Sequence, residues 1–220
     1  LMAKRVKKNK YKTWFFLLLF INVSFLGYQF IETPSLLNNI KYLYRQLFQA
    51  PNIPEGDYIY GIDVSEYQGI IAWDQLKDIN KKNQLSFVLI RATAGKNHRD
   101  RFFKSNWRKS GRKDLVRGAY HYFRPNENSS QQAINFIKNV KLSPGDLPPI
   151  LDIERTSNVQ SLNSLKIGVQ NWMKLVEEHY GIKPILYTGA HYYKDHLKND
   201  FKDYDLWVAN YNNVSQPLKK

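Results

Sequence analysis

The chain has 220 residues, no cysteine and a formal net charge of +14, with 43% hydrophobic and 15% aromatic residues. Its length suits one domain of ordinary size with an appendage, and the missing cysteine excludes disulfides, cysteine-based zinc sites, thiol catalysis and a lipoprotein anchor. The positive charge favours polyanionic partners such as nucleic acid, anionic lipid or an anionic cell-wall polymer.

The N-terminal region has the pattern of a membrane anchor. Residues 4–12 hold six basic side chains and no acid, and the uncharged run Trp14–Ile31 follows shortly after. That length just spans a bilayer as a helix, and the preceding basic residues predict a cytoplasmic N-terminus. A cleaved signal peptide is the competing interpretation, but no small-residue cleavage site occurs near residues 27–33. We therefore predict a membrane-anchored protein whose folded part faces the periplasmic or extracellular side.

The predicted organisation has four parts. A basic cytoplasmic tail covers 1–12, a single-pass transmembrane helix 13–31, a juxtamembrane spacer 32–57, and one folded domain 58–220. The spacer shows apolar residues at helical spacing, until prolines and a glycine near residue 54 interrupt the pattern.

From residue 58 onward, short apolar runs alternate with helical patterns. Strands are predicted over residues 60–64, 86–92, 116–123, 147–154, 183–188 and 206–210. Helices are predicted over residues 73–82, 102–112, 130–140, 161–180 and 192–197. Ser129 or Ser130 is expected to cap the third helix, and Gly181 to close the fourth. This alternation implies parallel strands covered by helices, in an order and with lengths that suit a barrel better than an open sheet.

The strand at 147–154 carries two acids in alternate positions. Ile150, Asp152 and Glu154 share one face of it, because side chains of a strand alternate between faces. The two carboxylates would stand roughly 6–7 Å apart, about the separation that a carboxylate pair flanking a sugar bond needs. A plainer interpretation is that Asp152 caps the next helix and Glu154 is a solvated strand end.

Functional groups of α/β barrels lie at the C-terminal ends of the strands. Three acids, Asp63, Asp152 and Glu154, meet several aromatic residues at those ends. Tyr120 and Tyr122 share one face of their strand, so His121 between them is expected to point to the other face. A hydrogen-bonded histidine behind the barrel is an open interpretation for it. The glycines lack the G-x-G-x-x-G spacing, and neither His-x-His nor H-E-x-x-H occurs, so no phosphate loop, cofactor or catalytic metal is predicted.

Six motifs, in this order along the chain, resemble those of glycoside hydrolase family 25, the lysozymes (N-acetylmuramidases) that cut peptidoglycan. They are Gly61–Gly69, Phe87–Thr93, Gly118–Phe123, Leu147–Glu154, Lys183–Gly189 and Leu206–Tyr211. The resemblance implies a TIM-like (β/α) barrel with a long groove, and cleavage of the β-1,4 bond between N-acetylmuramic acid and N-acetylglucosamine.

The resemblance also implies roles for individual residues. Glu154 would be the general acid, and Asp152 and Asp63 supporting carboxylates. A nearby carboxylate is expected to raise the pKa of the acid by like-charge repulsion, and the substrate's acetamido group could take part in the reaction. The residues expected to bind the substrate are Gln68, Arg91, Tyr120, Tyr122, Tyr187, Trp207 and Asn210.

The chain departs from the family pattern in two places. Ala94 stands where many members have Glu, and the chain ends at Lys220, before the two short strands with which the family usually continues. A barrel without those strands has unpaired edges and an exposed interior. We therefore predict a barrel that is incomplete at its C-terminus, and a fragment of a complete gene rather than a natural truncation.

Three alternatives to a muramidase remain. A peptidoglycan-binding module without catalysis would suit an incomplete barrel, although a binder has no need of three acids at one rim. A nucleic-acid binder is suggested by charge alone, and the basic residues are not clustered with an aromatic platform. A chitinase would need a longer run of acids before Glu154. Peptidoglycan, and the membrane through the N-terminal helix, are thus the predicted partners, with no nucleic acid.

Overall fold

The computed structural model describes residues 58–76, 78–79 and 83–209. The predicted tail, anchor and spacer lie outside these residues, as do Asn210 and the C-terminal end. In the described ranges, no helix is both long enough and apolar enough to cross a membrane.

A curled sheet of mainly parallel strands forms the centre of the described chain. The strands are β1 (Tyr60–Val64), β2 (Asp78–Ile79), β3 (Asn83–Ala94), β4 (His98–Arg99), β5 (Val116–Tyr122), β6 (Ile150–Asp152), β7 (Ile185–Gly189) and β8 (Leu206–Ala209). The parallel strands follow the order β1-β3-β5-β6-β7-β8, and β2 and β4 pair antiparallel with β3. The predicted α/β class with parallel strands is confirmed, in the form of a half-barrel whose edges, in the described part, are β1 and β8.

Helices cover the outside of this sheet. They are α1 (Phe103–Ser110), α2 (Ser129–Asn139), α3 (Leu162–Tyr180) and α4 (Ala190–Tyr192), with a π-helical turn at Tyr193–Leu197 and a 3-10 turn at Glu66–Gln68. The ends of α3 were predicted correctly. The Ser161 hydroxyl accepts from the N–H of Ser164 at 3.1 Å, and Gly181 ends the helix in the left-handed conformation, with φ 67°.

Side chains that alternate along the strands build two apolar layers. Val88, Ile90 and Leu151 point outward and are buried beneath the helices, against Trp172 of α3. The intervening positions form the concave side of the sheet, which buries Leu89, Tyr120, Ile150 and Tyr187. The period of two along β3, β5 and β6 therefore separates a structural layer from a surface that faces the inside of the half-barrel.

The helix predicted over residues 73–82 is wrong. Trp73 begins a turn, and residues 78–79 form the short strand β2, which pairs with Asn83 and Gln84 of β3. Trp73 is buried, and its indole N–H donates to Asn106 Oδ1 at 3.1 Å. Tertiary contacts and the antiparallel pairing with β3 thus stabilise this segment more than helix formation would.

Two further boundaries differ from the predictions. Asn128, rather than Ser129 or Ser130, caps α2, because its side chain accepts from the N–H of Gln131 at 3.0 Å. Both serine hydroxyls instead accept from Asn171 of α3. The strand predicted over 147–154 is shorter and ends at Asp152.

His121 lies in the outer layer, which agrees with the interpretation of a hydrogen-bonded histidine behind the barrel. It is fully buried, 2.7 Å from the Thr93 hydroxyl and 3.2 Å from Gln132 Oε1, and it stacks on Trp172. Burial lowers the pKa of this histidine to about 4, so the ring is neutral and structural at physiological pH.

Candidate functional site

A pocket of about 240 Å³ opens at the C-terminal ends of the strands. It is lined by Asp63, Ser65, Tyr67, Gln68, Arg91, Tyr120, Tyr122, Asp152, Glu154, Tyr187 and Trp207. Every predicted site residue in the described ranges is therefore in one pocket. Ser65 and Tyr67 were not predicted as site residues, although both belong to the motif that follows β1.

The strand ladder brings Asp152 into the pocket. Asp152 is opposite Tyr122 of β5 and Tyr187 of β7, and its carbonyl accepts from the N–H of Phe123 at 2.8 Å. Its side chain is 7% exposed, and among the described residues its Oδ1 has no hydrogen-bond partner. A buried carboxyl oxygen without a partner is costly in a folded protein. The described part of the chain supplies no donor for this Oδ1.

The pKa of Asp152 is raised to about 8, first by burial and then by the negative charges of Glu154 and Asp63. Burial also raises the pKa of Asp63 on β1. The large upward shift in pKa thus falls on the first acid of the Asp-x-Glu run. The reason is position: Asp152 ends the strand inside the half-barrel, whereas Glu154 comes two residues later and is exposed.

Arg91 is held by a network that sequence reasoning missed. Its Nε lies 3.2 Å from Asp100 Oδ2 and its Nη2 lies 2.9 Å from Glu66 Oε1. Asp100 Oδ2 also accepts from the N–H of Glu66 at 2.7 Å, and Glu66 Oε1 lies 2.8 Å from His98 Nε2. The network fixes the 3-10 turn after β1, so that Tyr67 covers the Arg91 guanidinium at 4.6 Å. Asp100 lies outside the six sequence motifs, directly after the short strand β4.

We expect Asp100→Asn to lower the free energy of unfolding by about 3 kcal/mol, because it leaves the buried guanidinium of Arg91 without its enclosed partner. The Asp100 side chain is 0% exposed and that of Arg91 8%. Glu66→Gln should cost less, because the Glu66 side chain is 17% exposed and water can replace it. Urea unfolding of the two variants and the unchanged protein tests this order, and an equal loss would contradict it.

Aromatic side chains form the opposite wall of the pocket. The rings of Tyr187 and Trp207 are 4.2 Å apart, and Tyr120 meets Trp207 edge to face at 6.4 Å. Burial, and then the charge of Asp63, raises the pKa of Tyr120, so its hydroxyl stays a neutral hydrogen-bonding group. Burial also raises the pKa of Tyr122. Flat rings with polar tips beside carboxylates suit a sugar, whose apolar ring faces stack while its hydroxyls bond.

The pocket offers acid–base chemistry with side chains alone. In the described part of the chain, no group of three or more histidine, aspartate or glutamate side chains is arranged to hold a metal ion. A carboxyl that keeps its proton up to about pH 8, that of Asp152, shares the pocket with two exposed carboxyls, Glu154 and Asp63. Proton donation to a bound oxygen is the reaction that such a set supports.

Comparisons with known sequences agree with this geometry. The sequence model described as glycosyl hydrolases family 25 matches residues 62–219. The uncharacterized protein YegX of Escherichia coli strain K12 is 40% identical over 163 residues, covering 74% of this chain and 60% of that protein. Lysozyme M1 of Streptomyces globisporus is 33% identical over 141 residues, covering 60% and 47%. The chain thus spans about 60% of the length of the YegX proteins that it matches.

Solved structures show the same fold. A bacterial lysozyme from Streptomyces coelicolor superposes with a TM-score of 0.65 and 28% identity, covering 75% of this chain and 79% of that one. A family 25 glycosyl hydrolase from Bacillus anthracis gives 0.63 and 31%, covering 70% and 72%. The sequence match extends over most of the chain and includes every residue that lines the pocket. The chain belongs to glycosyl hydrolase family 25.

Proposed function

We propose that this chain hydrolyses the β-1,4 bond between N-acetylmuramic acid and N-acetylglucosamine in peptidoglycan. The observation that carries the proposal is the convergence of Asp63, Asp152 and Glu154 on one aromatic-lined pocket. Relatives that are named lysozymes support the substrate class. The positive charge of the chain would draw it to an anionic wall polymer, with an attraction that salt weakens.

Glu154 is proposed as the general acid. It is the carboxyl at the exposed rim of the pocket, past the end of β6, where a glycosidic oxygen can approach it. Glu154 would deliver its proton to the leaving oxygen as the bond between the anomeric carbon and that oxygen breaks.

Asp152 is proposed to orient the substrate's acetamido group. Its Oδ1 is buried with no partner in the described residues, and an acetamido N–H is the kind of group that satisfies such an atom. The acetamido oxygen would then attack the anomeric carbon as the leaving oxygen takes the proton, and water would later open the ring so formed. This route retains the configuration at the anomeric carbon, so an inverted product observed by NMR would exclude it.

The remaining lining residues are proposed to bind the sugar chain. Tyr120, Tyr187 and Trp207 supply stacking surfaces, while Gln68 and the Arg91 guanidinium supply polar contacts at the β1 side. Asn210, the first residue after the described range, stays a predicted substrate ligand. Attachment to the membrane through residues 13–31, with the pocket facing the wall, likewise stays part of the proposal.

The test is hydrolysis of purified peptidoglycan by the full 220-residue chain, with new reducing ends identified by mass spectrometry. We expect products that end in reducing N-acetylmuramic acid, because Glu154 would protonate the glycosidic oxygen that leaves the anomeric carbon of this sugar. Products ending in reducing N-acetylglucosamine would assign a different bond. Binding without any product, from a folded sample, would instead favour the peptidoglycan-binding module.

A further inference from the structure

A second pocket, of about 410 Å³, lies directly beside the first. It is lined by Glu66, Tyr67, Arg91, Ala94, His98, Tyr122, Arg124 and Arg155. Tyr67, Arg91 and Tyr122 line both pockets and form the shared wall. Because Arg155 follows Glu154 in the chain, an occupant of the second pocket would lie next to the bond that the first pocket holds.

The charges of this second pocket are only partly compensated. Arg91 is paired with two carboxylates, Asp100 and Glu66, and Arg124 Nη1 lies 3.2 Å from Glu127. For the Arg155 side chain, no ion pair or hydrogen bond is found among the described residues, and the residue is exposed. The pocket thus presents one free guanidinium beside a second one that is 43% exposed.

One small apolar residue also lines the pocket. Ala94, at the end of β3, contributes only a methyl group there. A carboxylate at this position would fill space and neutralise a guanidinium. With alanine, the pocket keeps both its room and its charge.

We propose that the second pocket binds a carboxylate of the peptide that the substrate's muramic acid carries, with Arg155 as the main contact. The proposal rests on the function proposed above, because only a peptidoglycan substrate brings such a peptide to this place. A carboxylate carries a single charge, which matches the single free guanidinium. Arginine pairs with planar carboxylates through two parallel hydrogen bonds, and Arg124 lies close enough to line the same pocket.

The same guanidinium chemistry would also hold a phosphate of a wall polymer attached to the glycan. A phosphodiester in such a polymer carries one negative charge, as a peptide carboxylate does, and pairs with arginine in the same way. The two sources are separated experimentally by using ligands that contain one and lack the other.

The test is a binding measurement on the full chain carrying Glu154→Gln, so that the ligand is not consumed. The ligand is a soluble disaccharide-peptide, prepared either with free peptide carboxylates or with these converted to amides. We expect the acid form to bind about tenfold more tightly than the amide form, as suits a charge-assisted contact. Adding Arg155→Gln should remove this preference, while the affinity for the amide form stays within about twofold.

Arg112→Gln is the matched control, because it removes the same charge from an exposed residue that precedes β5, at the other end of the strands. It should keep the tenfold preference. Equal binding of the acid and amide forms before Arg155 is changed would overturn the proposal. So would a preference that survives Arg155→Gln, or loss of the preference in Arg112→Gln as well.

A phosphate-bearing glycan without peptide provides the remaining arm. Binding of that glycan that depends on Arg155, together with equal binding of the acid and amide peptides, would assign the pocket to phosphate and overturn the carboxylate proposal. Because binding is measured apart from turnover, the result does not depend on whether the unchanged chain cleaves peptidoglycan. Failure of hydrolysis and failure of this pocket are therefore seen in different experiments.

Discussion

Glu154→Gln is expected to lower the rate of peptidoglycan cleavage by about three orders of magnitude, the middle of the range for loss of a positioned general acid. The amide keeps the size and shape of the side chain but has no proton that it can give to the leaving oxygen. Glu154 is exposed and lies past the end of β6, so the fold should not depend on it. The measurement is kcat on purified peptidoglycan, beside the urea unfolding curve of the same sample.

Glu178→Gln is the control for this variant. Glu178 is on the exposed face of α3, where its contact with Lys174 spans 3.8 Å, so the change should leave cleavage unaffected. If Glu154→Gln kept a tenth or more of the activity, Glu154 would not be the acid. The raised pKa of Asp152 would then make that residue the next candidate for proton donor.

Asp152→Asn is expected to make the folded protein more stable near neutral pH. The folded state holds the Asp152 proton up to about pH 8, against an ordinary value of 3.8. A shift of this size corresponds to a ceiling of about 6 kcal/mol. Relaxation of the unfolded and folded states reduces such figures, so we expect a gain of at least about 2 kcal/mol at pH 7.5.

The pH dependence of this gain follows from the direction of the shift. Below about pH 4 the Asp152 carboxyl is protonated in both folded and unfolded chains, so the variant and the unchanged protein should differ little. Between pH 4 and 8 the unfolded chain releases the proton and the folded chain keeps it. The unchanged protein then loses up to about 1.4 kcal/mol of stability per pH unit relative to the variant. Above pH 8 the difference stays constant.

Urea unfolding at pH 4 and pH 7.5 provides the measurement. Asp195→Asn serves as the control, because Asp195 is exposed and a surface change of this kind alters stability by about 0.5 kcal/mol or less. A stability difference for Asp152→Asn that was equal at the two pH values would contradict the raised pKa. Such a result would mean that the buried carboxyl is ionised throughout and is stabilised by other groups.

The layered fold could be predicted because its signals are local. Alternation along β3, β5 and β6, with helices between them, is enough to indicate parallel strands beneath helices. The ends of α3 were predictable for the same reason, since Ser161 and Gly181 act on the nearest turn of backbone. The segment at residues 73–82 was not, because its conformation depends on Asn106 and on the start of β3. The spacing of apolar residues within this segment carries no information about such distant partners.

The site divides in a similar way. Parallel strands end at one edge of the sheet, so residues that follow successive strands must come together, and the sequence was sufficient to collect the lining of the pocket except for Ser65 and Tyr67. It also showed that Tyr120 and Tyr122 face one side and His121 the other. These conclusions need only the period of a strand and the common direction of the strands.

Tertiary structure was needed for the electrostatics. Both acids of the Asp-x-Glu run are present in the sequence, but which of them is enclosed depends on where β6 ends and on what packs around it. The Arg91 network joins residues from three separate segments through Asp100 and Glu66. The free guanidinium of Arg155 is likewise visible only when its neighbours are known. Order along the strands determined which groups meet, whereas burial and pairing in three dimensions decided their charge states, because desolvation depends on everything that surrounds a group.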